Sequence, residues 1–176
     1  MIIFLVGMPG AGKSYFGRFA AQELNLNCID LDERISEEQN TSIKTLFDQF
    51  GESYFRNLES ECLKRITKEC KTNTIIICGG GTPCFHDNMS WMNSHGITIW
   101  LDCPLEEIEK NHLADLEKRP LFDALKGNML KDKLEALFAQ RQNFYAQSKV
   151  KLNVNKGLSP YLFTKQLHLS TFVKNN

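Results

Sequence analysis

Gly7-Met8-Pro9-Gly10-Ala11-Gly12-Lys13-Ser14 is the stretch that decides the fold. It satisfies G-x-x-x-x-G-K-[ST], the pattern of a phosphate-binding loop, and its neighbours suit that reading. Before it runs Ile2-Ile3-Phe4-Leu5-Val6, a short apolar segment read as a buried strand. After it, Phe16, Phe19, Ala20 and Leu24 recur at helical spacing. Between a strand and a helix, the glycines let successive backbone N–H groups converge on phosphate oxygens. The helix N-terminus adds partial positive charge there. Lys13 is expected at the β and γ phosphates, and the Ser14 hydroxyl at Mg²⁺. A glycine-rich turn that binds nothing is the competing reading, and the flanking strand and helix weigh against it.

The chain has 176 residues, enough for one domain with a substantial core. It carries 21 basic and 21 acidic side chains. That balance offers no electrostatic case for nucleic acid or an anionic membrane as the main partner. No apolar stretch approaches the ~18 residues of a membrane span. The first apolar run lacks a basic leader and feeds straight into the loop, so it is not read as a secretion signal. Six cysteines occur without a C-x-x-C pair. Neither a zinc ribbon nor a redox pair is suggested, and reduced thiols in the cytoplasm are expected. The four histidines are scattered and are read as surface or packing residues.

Strand and helix patterns alternate along the chain, which predicts an α/β fold with a parallel sheet. Strands are expected at 2–6, 28–32, 74–78, 97–101 and 151–154. Helices are expected at 14–24, from 33, from 42 to a break at Gly51, over 52–69, 87–94, 104–117 and 130–147, and from near Pro160. Residues 114–129 read as a polar connecting segment and 171–176 as a frayed tail. No repeat or interdomain linker appears, so residues 1–176 are read as a single domain.

Ligands of an open parallel sheet bind at the carboxyl ends of its strands. Three predicted strands end in chemically useful residues. The first leads into the phosphate loop. The second carries Asp30-Leu31-Asp32, which in extended chain puts two carboxylates on one side. One could hold Mg²⁺ near Ser14, and the other could orient or deprotonate an acceptor hydroxyl. Without the loop beside them, such acids more often cap a helix in solvent. The third strand ends at Gly79-Gly80-Gly81, where close backbone approach and positive φ are open to the chain. An Asp at the end of that strand would mark motor and GTPase branches; its absence favours a small-molecule kinase. Arg56, Arg119 and Arg141 are candidate phosphate or carboxylate clamps, although any single helix arginine is more often a surface residue.

Together these features resemble the shikimate kinase family. The motifs appear as Gly7 to Ser14, Asp30-Leu31-Asp32, Phe55-Arg56-Asn57-Leu58-Glu59, Gly79 to Gly81, Arg119-Pro120-Leu121 and Arg141-Gln142-Asn143-Phe144-Tyr145, spread over nearly the whole chain. The resemblance implies a P-loop kinase fold, a five-stranded parallel sheet flanked by helices, with a lid at about 112–127. It implies ATP and shikimate as substrates, Mg²⁺ as cofactor, transfer to the 3-hydroxyl, and a monomer. Lys13, Asp32 and Arg119 become the expected catalytic residues, with Asp32 as base. Gly10, Ala11, Gly12, Lys13, Ser14, Tyr15, Arg119 and Lys156 become the expected ATP contacts. Asp32, Arg56, Gly79, Gly80, Gly81 and Arg141 become the acceptor contacts, and Ser14 and Asp30 the metal residues. One departure stands out: where the family usually has an arginine near adenine, this chain has Lys110-Asn111-His112, so either adenine is held differently or His112 or Lys110 substitutes. Two competing readings are a gluconate or nucleoside monophosphate kinase, which lack this motif set, and a non-catalytic nucleotide-binding module, which would have lost Lys13, Asp32 and Arg119.

Overall fold

A computed structural model describes residues 1–114, 128–155 and 157–173. Five strands form one sheet: β1 (Ile2–Val6), β2 (Asn27–Asp30), β3 (Thr74–Ile77), β4 (Ile97–Asp102) and β5 (Val150–Asn153). Their order is β2-β3-β1-β4-β5, and every pairing is parallel. The central strands β1 and β3 are buried at every residue. Apolar runs without alternation form such strands because both sheet faces are covered.

The helices are α1 (Lys13–Glu23), α2 (Leu31–Gln39), α3 (Ile43–Glu69), α4 (Asn88–His95), α5 (Leu105–Ala114), α6 (Asn128–Tyr145) and α7 (Pro160–His168). Ser42 caps α3 by accepting from the Thr45 N–H at 3.0 Å, and Ser159 caps α7 by accepting from Leu162 N–H at 3.2 Å. Gly51 interrupts α3 with φ 78° and ψ 171°, so the expected break is present inside a single helical run. On one side of the sheet α1 and α7 meet, with the Phe16 and Phe163 rings 4.9 Å apart.

Two expected elements differ. The second strand stops at Asp30 rather than 32, because Asp30 pairs with Ile77 at the end of the ladder and its side chain then caps α2. The predicted frayed tail is partly ordered: residues Leu169–Val173 form a π-helical turn, and buried Thr171 donates to the Leu167 carbonyl at 2.8 Å. The expected lid, apart from its first residues, lies outside the described residues, as do Arg119, Lys156 and the last three residues.

Candidate active site

The phosphate loop leaves β1 at Gly7 and enters α1 at Lys13. Gly7, Gly10 and Gly12 sit at φ 142°, 86° and 85°, a region L side chains rarely enter. Gly12 is the N-cap of α1, so the glycine pattern is a backbone requirement. Lys13 is buried, and its Nζ donates to the Gly7 and Met8 carbonyls at 3.0 and 2.9 Å. These bonds hold the ammonium across the mouth of the loop. Ala11 is buried within the loop, whereas the Tyr15 ring is 63% exposed and rests edge-on against Phe16.

Asp30 joins the loop to the second strand end. Its Oδ2 accepts from the Ser14 hydroxyl at 2.9 Å and lies 3.6 Å from Arg18 Nη2, while Oδ1 accepts from the Asp32 N–H at 3.2 Å. Asp32 is not on the strand beside Asp30, as extended alternation predicted; it lies in the first turn of α2. Helix geometry turns its carboxylate toward the glycine turn. Burial, with Glu59 and Asp30 nearby, pushes the Asp32 carboxyl up to about 7, against the smaller opposing pull of Lys13 and Arg56. A carboxyl in that range exchanges protons near neutrality, as a general base must. Ser14 and Asp30 present a hydroxyl and a carboxylate oxygen side by side. Those are hard donors suited to Mg²⁺, which typically takes one or two protein oxygens and completes its shell with phosphate and water.

The three glycines following Cys78 do not need the positive φ that was open to them. None of them has positive φ. What they supply is space. A Cβ on Gly80 would stand 2.6 Å from Pro9 Cδ, and one on Gly81 would stand 2.5 Å from Arg56 Nη2. A Cβ on Gly79 would crowd Glu59 Oε1 at 3.0 Å and Asp32 Oδ1 at 3.1 Å. The turn is thus the place where the phosphate loop, the Asp32 carboxylate and Arg56 come together.

Arg56 is 5% exposed and held by two carboxylates that use three of its five N–H donors. Nη1 donates to Glu59 Oε2 at 2.8 Å, and Nε and Nη2 both donate to Glu52 Oε1 at 3.1 and 3.0 Å. The guanidinium lies 4.6 Å from the Phe85 ring centroid and 5.2 Å from that of Phe55. Glu59 is itself fully buried and accepts from the Thr82 hydroxyl at 2.5 Å. Two carboxylates and two aromatic rings hold the cation in one plane, which suits it to a planar anion. Arg141 is also buried, one helical turn before Tyr145. Burial pushes the Tyr145 hydroxyl's pKa up, against the smaller opposing pull of the Arg141 guanidinium. Tyr145 donates its hydroxyl to the Gly80 carbonyl at 2.6 Å. That bond ties α6 to the glycine turn.

A family profile described as shikimate kinase matches residues 9–169. The chain belongs to the shikimate kinase family. Curated relatives include a shikimate kinase of Persephonella marina, 36% identical over 165 residues that span 94% of this chain and 95% of the relative. Another, from Clostridium botulinum, is 39% identical over 87% of each chain. Among solved structures, the shikimate kinase of Bacteroides thetaiotaomicron aligns with a TM-score of 0.89 at 31% identity, over 96% of both chains. That of Acinetobacter baumannii, solved in complex with shikimate, aligns with a TM-score of 0.86 at 29% identity, over 99% of this chain and 94% of the other. The five-stranded parallel sheet flanked by helices is the fold of these shikimate kinases.

Within this family member, the structure brings together Lys13, Ser14, Asp30, Asp32, Arg56, Gly79, Gly80 and Gly81. Arg141 is buried on α6 one turn before Tyr145, whose hydroxyl reaches the Gly80 carbonyl. Glu59 and Tyr145 had been legible only as motif letters. Glu52, Thr82, Arg18 and Asn111 had no assigned part, and His112 had one only as an alternative to Lys110 in place of the family's arginine near adenine. The Glu52–Arg56–Glu59 set follows i, i+4 and i, i+3 helix spacing and was open to detection from sequence. Asn111 and His112, whose partners lie about a hundred positions away, carried no local signal. Their side chains reach the phosphate-loop carbonyls of Gly10 and Pro9. Lys110 instead pairs with Glu107 at 2.8 Å in solvent.

Proposed function

We propose that this chain transfers the γ-phosphoryl group of ATP to the 3-hydroxyl of shikimate, yielding shikimate 3-phosphate and ADP on the route to chorismate and the aromatic amino acids. Membership of the shikimate kinase family carries the ATP-dependent phosphorylation of shikimate. One geometric observation carries the assignment of residues: the Gly79–Gly81 turn touches Pro9 of the donor loop on one side and Asp32 and Arg56 on the other. Donor and acceptor groups therefore share one small cleft.

In this reading the shikimate carboxylate docks on Arg56 and Arg141, and its ring lies along the glycine turn. Asp32 accepts the hydroxyl proton as the oxygen attacks the γ-phosphorus and the bond to the β–γ bridging oxygen breaks. Lys13 exchanges its two carbonyl partners for phosphate oxygens. The N–H groups of residues 10 to 15 surround the phosphates. Ser14 and Asp30 would hold Mg²⁺, which when bound neutralises charge between the β and γ phosphates. Arg119 and Lys156 keep the nucleotide-side roles that the family pattern implies. The same reading takes residues 1–176 as a single-domain cytoplasmic monomer that engages neither nucleic acid nor membrane. Its neutral formal charge gives no electrostatic attraction to nucleic acid or an anionic membrane.

A coupled assay of ADP release tests the reaction. ADP should appear only when ATP, Mg²⁺ and shikimate are all present. Turnover of gluconate or a nucleoside monophosphate in place of shikimate would overturn the acceptor assignment, and release indifferent to any acceptor would overturn the kinase assignment.

A further inference from the structure

A loop that turns its N–H groups inward to a phosphate must turn carbonyls outward, and those carbonyls need donors. For Pro9 and Gly10 the donors come from α5. Asn111 Nδ2 donates to the Gly10 carbonyl at 2.9 Å. His112 Nε2 lies 3.2 Å from the Pro9 carbonyl. A carbonyl only accepts, so His112 Nε2 carries the hydrogen in this contact. His112 is 1% exposed, so its bond is shielded from competing water.

Neighbouring residues of a helix do not share a face. Asn111 and His112 therefore diverge, and they take hold of two successive carbonyls rather than one. Their helix is firmly seated, because Ile108, one turn earlier, is completely buried. Pro9 is consequently held twice. Its ring lies against Gly80, and its carbonyl faces His112. Lacking an N–H, Pro9 offers only that carbonyl to the rest of the protein.

We propose that Asn111 and His112 are positioning residues of the nucleotide site, which set the outward carbonyls of Pro9 and Gly10 so that the loop presents its N–H groups to the phosphates. This rests on the reading of residues 10 to 15 as the ATP-phosphate cradle. The pair touches no acceptor group, so its effect is confined to the donor side. Binding to a loop already in place avoids an ordering cost at the moment of association.

Calorimetric titration of the full chain tests this, using Mg·ADP, inorganic tripolyphosphate and shikimate as separate probes. The variants are Asn111→Leu and His112→Phe, which keep bulk without the donor, and His112→Gln, which restores an N–H donor. One lost hydrogen bond of ordinary strength corresponds to about fivefold in affinity. Asn111→Leu and His112→Phe should each weaken Mg·ADP and tripolyphosphate by about that factor. Shikimate affinity should stay within about twofold, and His112→Gln should recover most of the loss. Unchanged ADP and tripolyphosphate affinity in Asn111→Leu and His112→Phe, whatever happens to melting temperature, overturns the proposal. Equal weakening of shikimate and ADP also overturns it, since that is the mark of general loosening. Failure of the unaltered protein to bind either phosphate probe overturns the cradle reading itself, and this proposal with it.

Discussion

Asp32 shows how one residue's surroundings set both chemistry and stability. Its carboxyl is raised from 3.8 to about 7, chiefly by burial and secondarily by Glu59 and Asp30. A folded-state value above the unfolded one means the fold retains a proton the unfolded chain releases. The stabilising share is complete below the unfolded value and disappears as pH climbs through the folded one. At pH 8 the ligand-free protein therefore carries an ionised group the site resists. Asp32→Asn should abolish measurable shikimate-dependent turnover while ATP still binds. It should also raise the melting temperature of the ligand-free protein at pH 8 by about 2–4 °C, with a smaller gain at pH 5. Calorimetry at the two pH values checks the second claim, and an equal gain at both would refute it. Asp32 was legible as a functional acid from its place after the second strand. Its proton affinity was not, because Glu59 arrives from α3 and Lys13 from α1.

Among the elements, the glycine turn after β3 links the two halves of the cleft. Sequence reading opened its glycines to positive φ and ligand approach; none of them has positive φ, and their missing Cβ atoms make room for Pro9 and Arg56. Gly80→Ala should push the phosphate loop away from the turn. Overpacking of this kind costs about 1–3 kcal/mol. It should lower the melting temperature by several degrees, about 2–4 °C per kcal/mol. It should also raise KM for ATP as well as for shikimate, because Gly80 faces the donor loop through its missing side chain. A variant with altered shikimate KM and unchanged ATP KM would show that the turn serves the acceptor alone. The α3 helix tells a similar story: its break at Gly51 was visible in the sequence, yet Glu52's grip on Arg56 appeared only when both side chains were placed.

Across the whole molecule, the cleft stands on a sheet clamped by helices distant in sequence. Phe163 on α7 is fully buried against Phe16, whose ring lies 3.0 Å from where a Cβ on Gly12 would be. The final helix thus supports the phosphate loop through one intermediate ring. Phe163→Ala should cost about 3–5 kcal/mol, as large-to-small changes at buried aromatics do. That corresponds to roughly 10 °C in melting temperature for a chain of this size. Kinetics at 15 °C should still show KM for shikimate near the unaltered value, because the proposed acceptor groups stand on α2, α3, α6 and the glycine turn. A large rise in shikimate KM at that temperature would place α7 in the acceptor site instead.

Local chemistry was sufficient for much of this protein. Periodicity announced the strands and helices, glycines and capping residues marked where they stop, and Gly7 to Ser14 named a phosphate site, since each depends on neighbours within a few residues. Long-range placement was needed for the rest. Asp32 moved from strand to helix because the ladder ended at Asp30. The triple glycine became a packing device because Pro9 and Arg56 came to rest on it. Asn111 and His112 met the phosphate loop only because β4 lies beside β1 and brings α5 with it. Side chains that are a hundred residues apart leave no periodic trace in a sequence, and their meeting is settled when the sheet closes and its helices bury their apolar faces.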